Sequence, residues 1–310
     1  MRRLLAVGTA LLFGGSLLHA STYYLAVAGL GGEPEYDQRF GGWAADLEKI
    51  LKSAGDSQAT LLKGTEATKA RITAAAGDIS KKAKPEDLFV LLLIGHGTFD
   101  GADYKFNTPG PDVSGVELGA LLDRIPAKKQ LVVNMTSCSG GAIPALQKAG
   151  RTVISATKSG TEKNATVFAR YWIEAMRDAG ADKDKNDVIT ALEAFQYAES
   201  KTENFYKTQN RLATEHPVLE DTGKGNPVKD PSPANGQGLT ASQFALLRLG
   251  SAQAATKDPA KRALFQKKEE LESKIDQLKY QKAAIPSGEY RRQLGALLLE
   301  LAKVQEELDK

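Results

Sequence analysis

The chain has 310 residues, 42% of them hydrophobic, and its 41 Lys and Arg nearly balance 38 Asp and Glu, for a formal charge of +3. So small an excess gives no electrostatic reason to expect nucleic acid as a partner, and the length suits one main domain with an appendage. Cys138 is the sole cysteine, which excludes an intramolecular disulfide.

Met1-Arg2-Arg3 precedes an apolar stretch from residue 4 to 18, and Leu18-His19-Ala20 stands before Ser21, the order of a secretory signal peptide over residues 1–20. The stretch contains Gly8, Gly14 and Gly15 and is short for a bilayer span, so cleavage after Ala20 is expected rather than an anchor. No later segment is apolar enough to span, so the expected location is periplasmic or secreted, and no stable membrane span is expected. Strand and helix patterns then alternate: a strand at 23–28, a glycine-rich loop at 29–39, a helix near 43–54, a strand at 58–62 and a polar helix at 66–82. Pro85-Glu86-Asp87 breaks the chain before a strand at 88–94 that is apolar on both faces. Such strands lie inside sheets covered on each side by helices, so the sheet is expected to be mostly parallel. A helix at 114–124, opened by a capping box of Ser114 and Glu117, leads to a strand at 130–135. A glycine turn, a short helix at 142–149, a strand at 152–156 and helices at 167–178 and 191–201 follow.

The two interior strands end in Gly95-His96-Gly97 and in Thr136-Ser137-Cys138-Ser139-Gly140-Gly141. In open α/β sheets function gathers at the carboxyl ends of the strands. If the strands are neighbours and parallel, His96 and Cys138 emerge from one edge, where an imidazole can take the thiol proton and later protonate a leaving amine. Gly97 lets a substrate backbone approach, and its N–H with that of Cys138 would form an oxyanion hole. Either motif alone is ambiguous, because a histidine at a strand end and a buried small cysteine are both ordinary. Their order and shared strand context carry the reading. No Gly-x-Ser-x-Gly elbow supports Ser137 or Ser139 as a nucleophile instead.

These residues resemble the caspase-like cysteine peptidases, clan CD, and within that clan the legumain family. The stretches that carry the resemblance are HGTFDGADYKFNTPGPDVSGVELGALL (96–122), MTSCSGG (135–141) and LATEHPVLEDTGKG (212–225). It covers roughly residues 23–225 and implies a three-layer caspase-like α/β sandwich over 21–225, with His96 as general base and acid, Cys138 as nucleophile and the Gly97 and Cys138 backbones as oxyanion donors. Ser137 departs from the Ala or Gly often found beside the nucleophile, and no third catalytic side chain is assigned. The resemblance further implies a substrate pocket lined by the loop at 29–39 and by residues 155–160, which nominates Arg39, Ser155 and Thr157 and, by default, cleavage after asparagine. Arg39 also reads as a solvated surface arginine, and Glu33, Glu35 and Asp37 keep a basic side chain open as a competitor.

DKDKNDVITALE, residues 182–193, has the spacing of an EF-hand loop: Asp182, Asp184 and Asn186 at positions one, three and five, the Val188 carbonyl, Thr190 through water, and Glu193 at position twelve. Asp187 replaces the turn glycine at position six, where a positive φ is needed. A structural calcium ion is one reading and a solvated acidic loop that caps the next helix the other. Residues 226–258 read as a linker with an edge strand or short helix at 243–249. Residues 259–310 read as a helical hairpin or coiled coil, with Leu264, Leu271, Ile275 and Leu278 on one stripe, a break at 284–288, and Leu294, Leu297, Leu301, Val304 and Leu308 on the next. These seams can pair with each other, pack on the main domain, or serve self-association or a protein partner.

The expectation is an exported cysteine endopeptidase acting on a peptide or protein substrate through a thioester, with no cofactor required. Alternatives are a transpeptidase or ligase using the same acyl-enzyme, and a non-catalytic scaffold that binds partners through its coiled coil.

Overall fold

The computed structural model describes residues 20–54 and 57–310, so the expected signal peptide falls, except for Ala20, outside the described residues. The chain runs β1 (Thr22–Ala28), α1 (Pro34–Ser53), β2 (Ser57–Lys63), α2 (Lys69–Lys82) and β3 (Leu88–Ile94). Three short strands follow, β4 (Gly97–Phe99), β5 (Tyr104–Phe106) and β6 (Val113–Ser114), then α3 (Gly115–Asp123), β7 (Lys129–Asn134), α4 (Ile143–Leu146) and β8 (Arg151–Ser155). Next come α5 (Phe168–Ala175), β9 (Val188–Thr190), α6 (Ala191–Thr208) and β10 (Val218–Glu220). The chain ends with α7 (Leu239–Ser242), β11 (Ala245–Arg248), α8 (Gly250–Lys257), α9 (Pro259–Tyr280) and α10 (Ser287–Leu308).

The main sheet has six strands in the order β10-β8-β7-β3-β1-β2. All its pairs are parallel except β10 with β8. Tyr24 and Ala26, with Val90, Leu92 and Ile94, face α1, α5 and α6, where Phe40, Leu47, Phe168, Trp172 and Phe195 complete one core. Leu25 and Val27, with Leu91 and Leu93, face α2, α3 and α4, where Ile72, Ile79, Leu118, Leu122 and Leu146 complete the other. This double burial is the physical reason these strands are apolar at every position, and the mostly parallel α/β architecture agrees with the sequence.

Several boundaries differ from expectation. The segment expected as a glycine-rich loop at 29–39 is a loop only to Glu33, because Pro34 opens α1 and places Arg39 on a helix. The region 97–114, assigned no strands from the sequence, forms a small antiparallel sheet of β4, β5 and β6. The expected linker at 226–258 is packed rather than free. Phe244 and Leu246 are buried in the core, β11 pairs antiparallel with β9, and the Tyr24 hydroxyl donates to the Leu246 carbonyl at 2.5 Å. Just ahead of it, the Asp221 carboxylate accepts the backbone N–H groups of Gly238, Thr240 and Ala241. The C-terminal hairpin is formed by α9 and α10, with Phe265, Leu271, Ile275 and Leu278 of α9 buried. Among the described residues no helix is long and apolar enough to cross a membrane.

Candidate active site

β3 and β7 are adjacent and parallel, with Leu93 opposite Asn134, so the two motifs leave the sheet side by side at its carboxyl edge. The link between them is Ser137. Its Oγ accepts the Gly97 N–H at 3.1 Å and donates to the Gly97 carbonyl at 3.0 Å. Gly97 has to be glycine here, since a Cβ would lie 2.5 Å from the Ser137 carbonyl oxygen and 2.8 Å from Thr136 Oγ1. Ser137 is therefore the residue that stitches the histidine segment to the cysteine segment. Beneath it, Thr136 Oγ1 shares hydrogen bonds with the Tyr104 hydroxyl at 2.7 Å and with Asn134 Oδ1 at 2.9 Å.

Gly95, at φ +146°, turns the chain out of β3. The His96 ring packs edge-on against Tyr36 and Phe40 of α1, with centroids 4.8 Å and 5.1 Å away. The Gly31 backbone faces the ring and favours its protonated form, and Gly31 is itself held by its N–H on Asp37 Oδ1 at 2.8 Å. Burial lowers the His96 pKa below the ordinary histidine value, against the opposing effects of Gly31 and Glu33. The ring is therefore neutral at neutral pH, as a general base must be. Arg39 stands near it, ion-paired to Glu35 at 2.6 Å and 35% exposed at its side chain, with its guanidinium over the Tyr36 ring.

Cys138 adopts the left-handed conformation, φ 58°, uncommon for a residue with a Cβ and frequent at functional turns. It is only 2% exposed. Burial pushes its thiol above the ordinary value, while the Lys163 charge and the Phe99 N–H act in the other direction. No hydrogen bond joins the sulfur to His96 among the described residues: the two motifs meet through backbone and Ser137, while the ring turns to α1.

The expected oxyanion donors are both engaged. Gly97 donates to Ser137 Oγ, and the Cys138 N–H donates to the Glu162 carbonyl at 2.8 Å. That carbonyl belongs to a cap formed by the loop after β8. The Glu162 carboxylate fastens the cap by accepting the Lys158 N–H at 2.9 Å and the His216 N–H at 3.2 Å, and by pairing with His216 Nδ1. Ser155 and Thr157, expected in a substrate pocket, are instead buried in a hydroxyl network. Ser155 Oγ donates to the Thr157 carbonyl at 2.7 Å and shares a hydroxyl–hydroxyl contact with Ser139 Oγ at 2.9 Å, and Thr157 Oγ1 accepts the Gly140 N–H at 2.9 Å. Behind the cap, Glu215 accepts the Val167 and Phe168 N–H groups at the start of α5, and burial raises its carboxyl to about 7. Glu162, Glu215 and His216 received no role from the sequence. Their one signal was that Glu215 and His216 lie inside a stretch carrying the resemblance.

In the acidic loop, carboxylate oxygens of Asp182, Asp184 and Glu193 lie within 4.8 Å of one another. Asp187 takes the positive φ that position six requires, 65°. Although Asp184 is exposed as a residue, local desolvation of its carboxyl within the loop, with the Glu193 and Asp182 charges, raises it to about 6, a concentration of negative charge that a hard cation would relieve. Other groups are committed elsewhere. Asn186 Oδ1 accepts the Val188 N–H at 2.8 Å, Val188 pairs with Arg248 in the small sheet, and Thr190 and Glu193 form the capping box of α6. Asp182, Asp184 and Glu193 are thus the nominated residues whose carboxylates the loop brings together, Glu193 while also capping α6, and the other three serve the loop itself.

The sequence matches no protein-family model and no curated protein. Among solved structures it is similar to the Drosophila initiator caspase Dronc, at 12% identity over 67% of this chain and 82% of that one, with a TM-score of 0.44. Caspase-1 from Spodoptera frugiperda matches at 10% identity over 66% and 87%, TM-score 0.47. A Geobacter sulfurreducens protein matches at 15% identity over 74% and 99%, TM-score 0.46. Likenesses of this size carry no argument, and the architecture described above stands on the chain's own strand order and pairing.

Proposed function

We propose that the protein is an exported, caspase-like cysteine endopeptidase of legumain type. The observation that carries the reading is that His96 and Cys138 follow the carboxyl ends of two adjacent parallel strands, with Ser137 and Gly97 hydrogen-bonded between them. In the working form the cap lifts, which frees the Cys138 N–H from the Glu162 carbonyl and relieves the burial that holds the thiol neutral. His96 then takes the Cys138 proton as sulfur attacks the scissile carbonyl. The Cys138 N–H receives the developing oxyanion, joined by the Gly97 N–H as it turns from Ser137 Oγ, and His96 returns the proton to the leaving amine as the C–N bond breaks. Water, deprotonated by His96, adds to the thioester, and loss of the carboxylic acid restores the thiol. Cleavage after asparagine is supported by the Arg39–Glu35 pair, which offers a donor and an acceptor together, as a side-chain amide requires. A calcium ion on Asp182, Asp184 and Glu193 would brace α6 and the loop before it and take no part in the chemistry. Profiling cleavage of a peptide library tests the function: Cys138-dependent products ending in asparagine are expected, and no turnover by any preparation that reacts with small thiol reagents contradicts it.

The closed cap favours a second reading, a binding protein that uses the fold as a scaffold. Tight partner binding by a preparation with no turnover would select it. An acyl-enzyme intercepted by an added amine would instead select a transpeptidase.

A further inference from the structure

We propose that α10 pairs with α10 of a second copy of the chain, antiparallel, about a two-fold axis passing between Leu298 and Leu299. The proposal stands apart from the peptidase reading, because it rests on the hairpin alone. α10 carries two apolar stripes. Leu294, Leu297, Leu301, Val304 and Leu308 are buried or half-buried along the seam with α9, and Leu308 packs beside Phe265. At about 100° per residue, a second stripe lies roughly 130° further round the helix and comprises Gly295, Leu298, Leu299 and Ala302. Among the described residues it is left largely open to solvent. Leu298 and Leu299 are 48% and 61% exposed, two of the few large apolar side chains so exposed among the described residues. Gly295 and Ala302 are exposed, and a Cβ on Gly295 would meet nothing within 4 Å.

Charge selects the occupant. Arg291 precedes the stripe and Glu306 follows it, on the same side of the helix. Arg291 has no ion-pair partner among the described residues, and Glu306 has only an exposed contact with Lys310 at 3.5 Å. About the proposed axis every element finds its complement: Leu298 meets Leu299 of the partner subunit, Gly295 meets Ala302 of the partner subunit, and Arg291 meets Glu306 of the partner subunit. This self-complementarity is what an isologous interface demands. The small residues at both ends let the helices approach closely. A parallel pairing would instead set Arg291 against Arg291 and Glu306 against Glu306, a like-charge arrangement that helix pairs avoid. The stripe is short, so the contact falls below the standard size of a stable interface, and the dimer is weak and concentration-dependent.

Sedimentation velocity on the purified protein from about 10 to 500 µM, at low salt, tests the proposal. The wild type is expected to pass from monomer to dimer in that range, and L299D to stay monomeric. R291E and E306R should each raise the midpoint about tenfold, since each dimer contains two such pairs and each reversal makes them repel. The double variant R291E/E306R, which restores both pairs with the signs exchanged, should return the midpoint to within about twofold of wild type. A wild type monomeric throughout overturns the proposal, and so does a double variant as weak as either single one. These positions are exposed, so loss of helicity in any variant would equally contradict the placement of the stripe.

Discussion

Replacing Glu162 by alanine should open the cap over Cys138 without unfolding the domain. The carboxylate accepts the Lys158 N–H at 2.9 Å and the His216 N–H at 3.2 Å and pairs with the His216 ring. The Glu162 side chain is 11% exposed but that of His216 is 39% exposed, so each of the three interactions contributes about 0.7 kcal/mol after allowance for solvent. The Cys138 N–H bond to the Glu162 carbonyl and the Thr157 hydroxyl bonds survive the substitution. A net loss of about 2 kcal/mol in cap closure corresponds to an open population roughly thirtyfold larger. Because Cys138 is the sole cysteine, its alkylation by iodoacetamide, followed by intact mass, reports that population directly. The E162A rate should rise about thirtyfold while thermal unfolding stays cooperative. H216Q, which keeps the backbone N–H donor, should give a smaller rise. An E162A rate within about twofold of wild type would refute the role assigned to the cap.

The other predictions follow from individual contacts. G97A forces a Cβ to within 2.5 Å of the Ser137 carbonyl oxygen, so chemical denaturation should show a loss of about 1–3 kcal/mol. An unchanged midpoint would contradict the close approach of the two motifs. Glu215, raised to about 7 from the ordinary carboxyl value of 4.5, keeps its proton in the folded chain over a range where the unfolded chain has lost it. Its contribution to stability is full below about pH 4.5 and declines until about pH 7. E215Q should therefore flatten the fall in stability across that window, and an identical pH slope would refute the assignment. Calcium at about one hundred times its dissociation constant should add about 2.7 kcal/mol and raise the melting temperature by several degrees over EDTA, an effect lost in D184N. Equal melting temperatures in calcium and EDTA would contradict binding at the loop.

The interior strands were legible in the sequence because each is buried on both faces, and a run such as 88–94 has no polar position to confuse with a helix stripe. The capping box of Ser114 and Glu117 marked the start of α3 for the same local reason, that both partners lie within one turn. What escaped depended on distant partners. β4, β5 and β6 span three residues or fewer each and exist through pairing with one another, so no periodicity announces them. Residues 226–258 look like a linker by composition, yet Phe244 and Leu246 anchor the segment in the core. At the site, the positions of His96 and Cys138 followed from strand order. The state of the oxyanion donors did not, because the Cys138 N–H bond is decided by Glu162, held in turn by His216 far along the chain. Ser137 looked like a tolerated departure because its two bonds to Gly97 join segments forty residues apart.

The central claim is that His96 and Cys138 act on one scissile carbonyl. Intact mass after treatment with an electrophilic peptide ending in asparagine tests it most directly, with iodoacetamide as the control for simple thiol access. Wild type should carry one adduct at Cys138, C138A none, and H96A should lose the peptide adduct while retaining alkylation. Equal peptide labelling of wild type and H96A would contradict the claim.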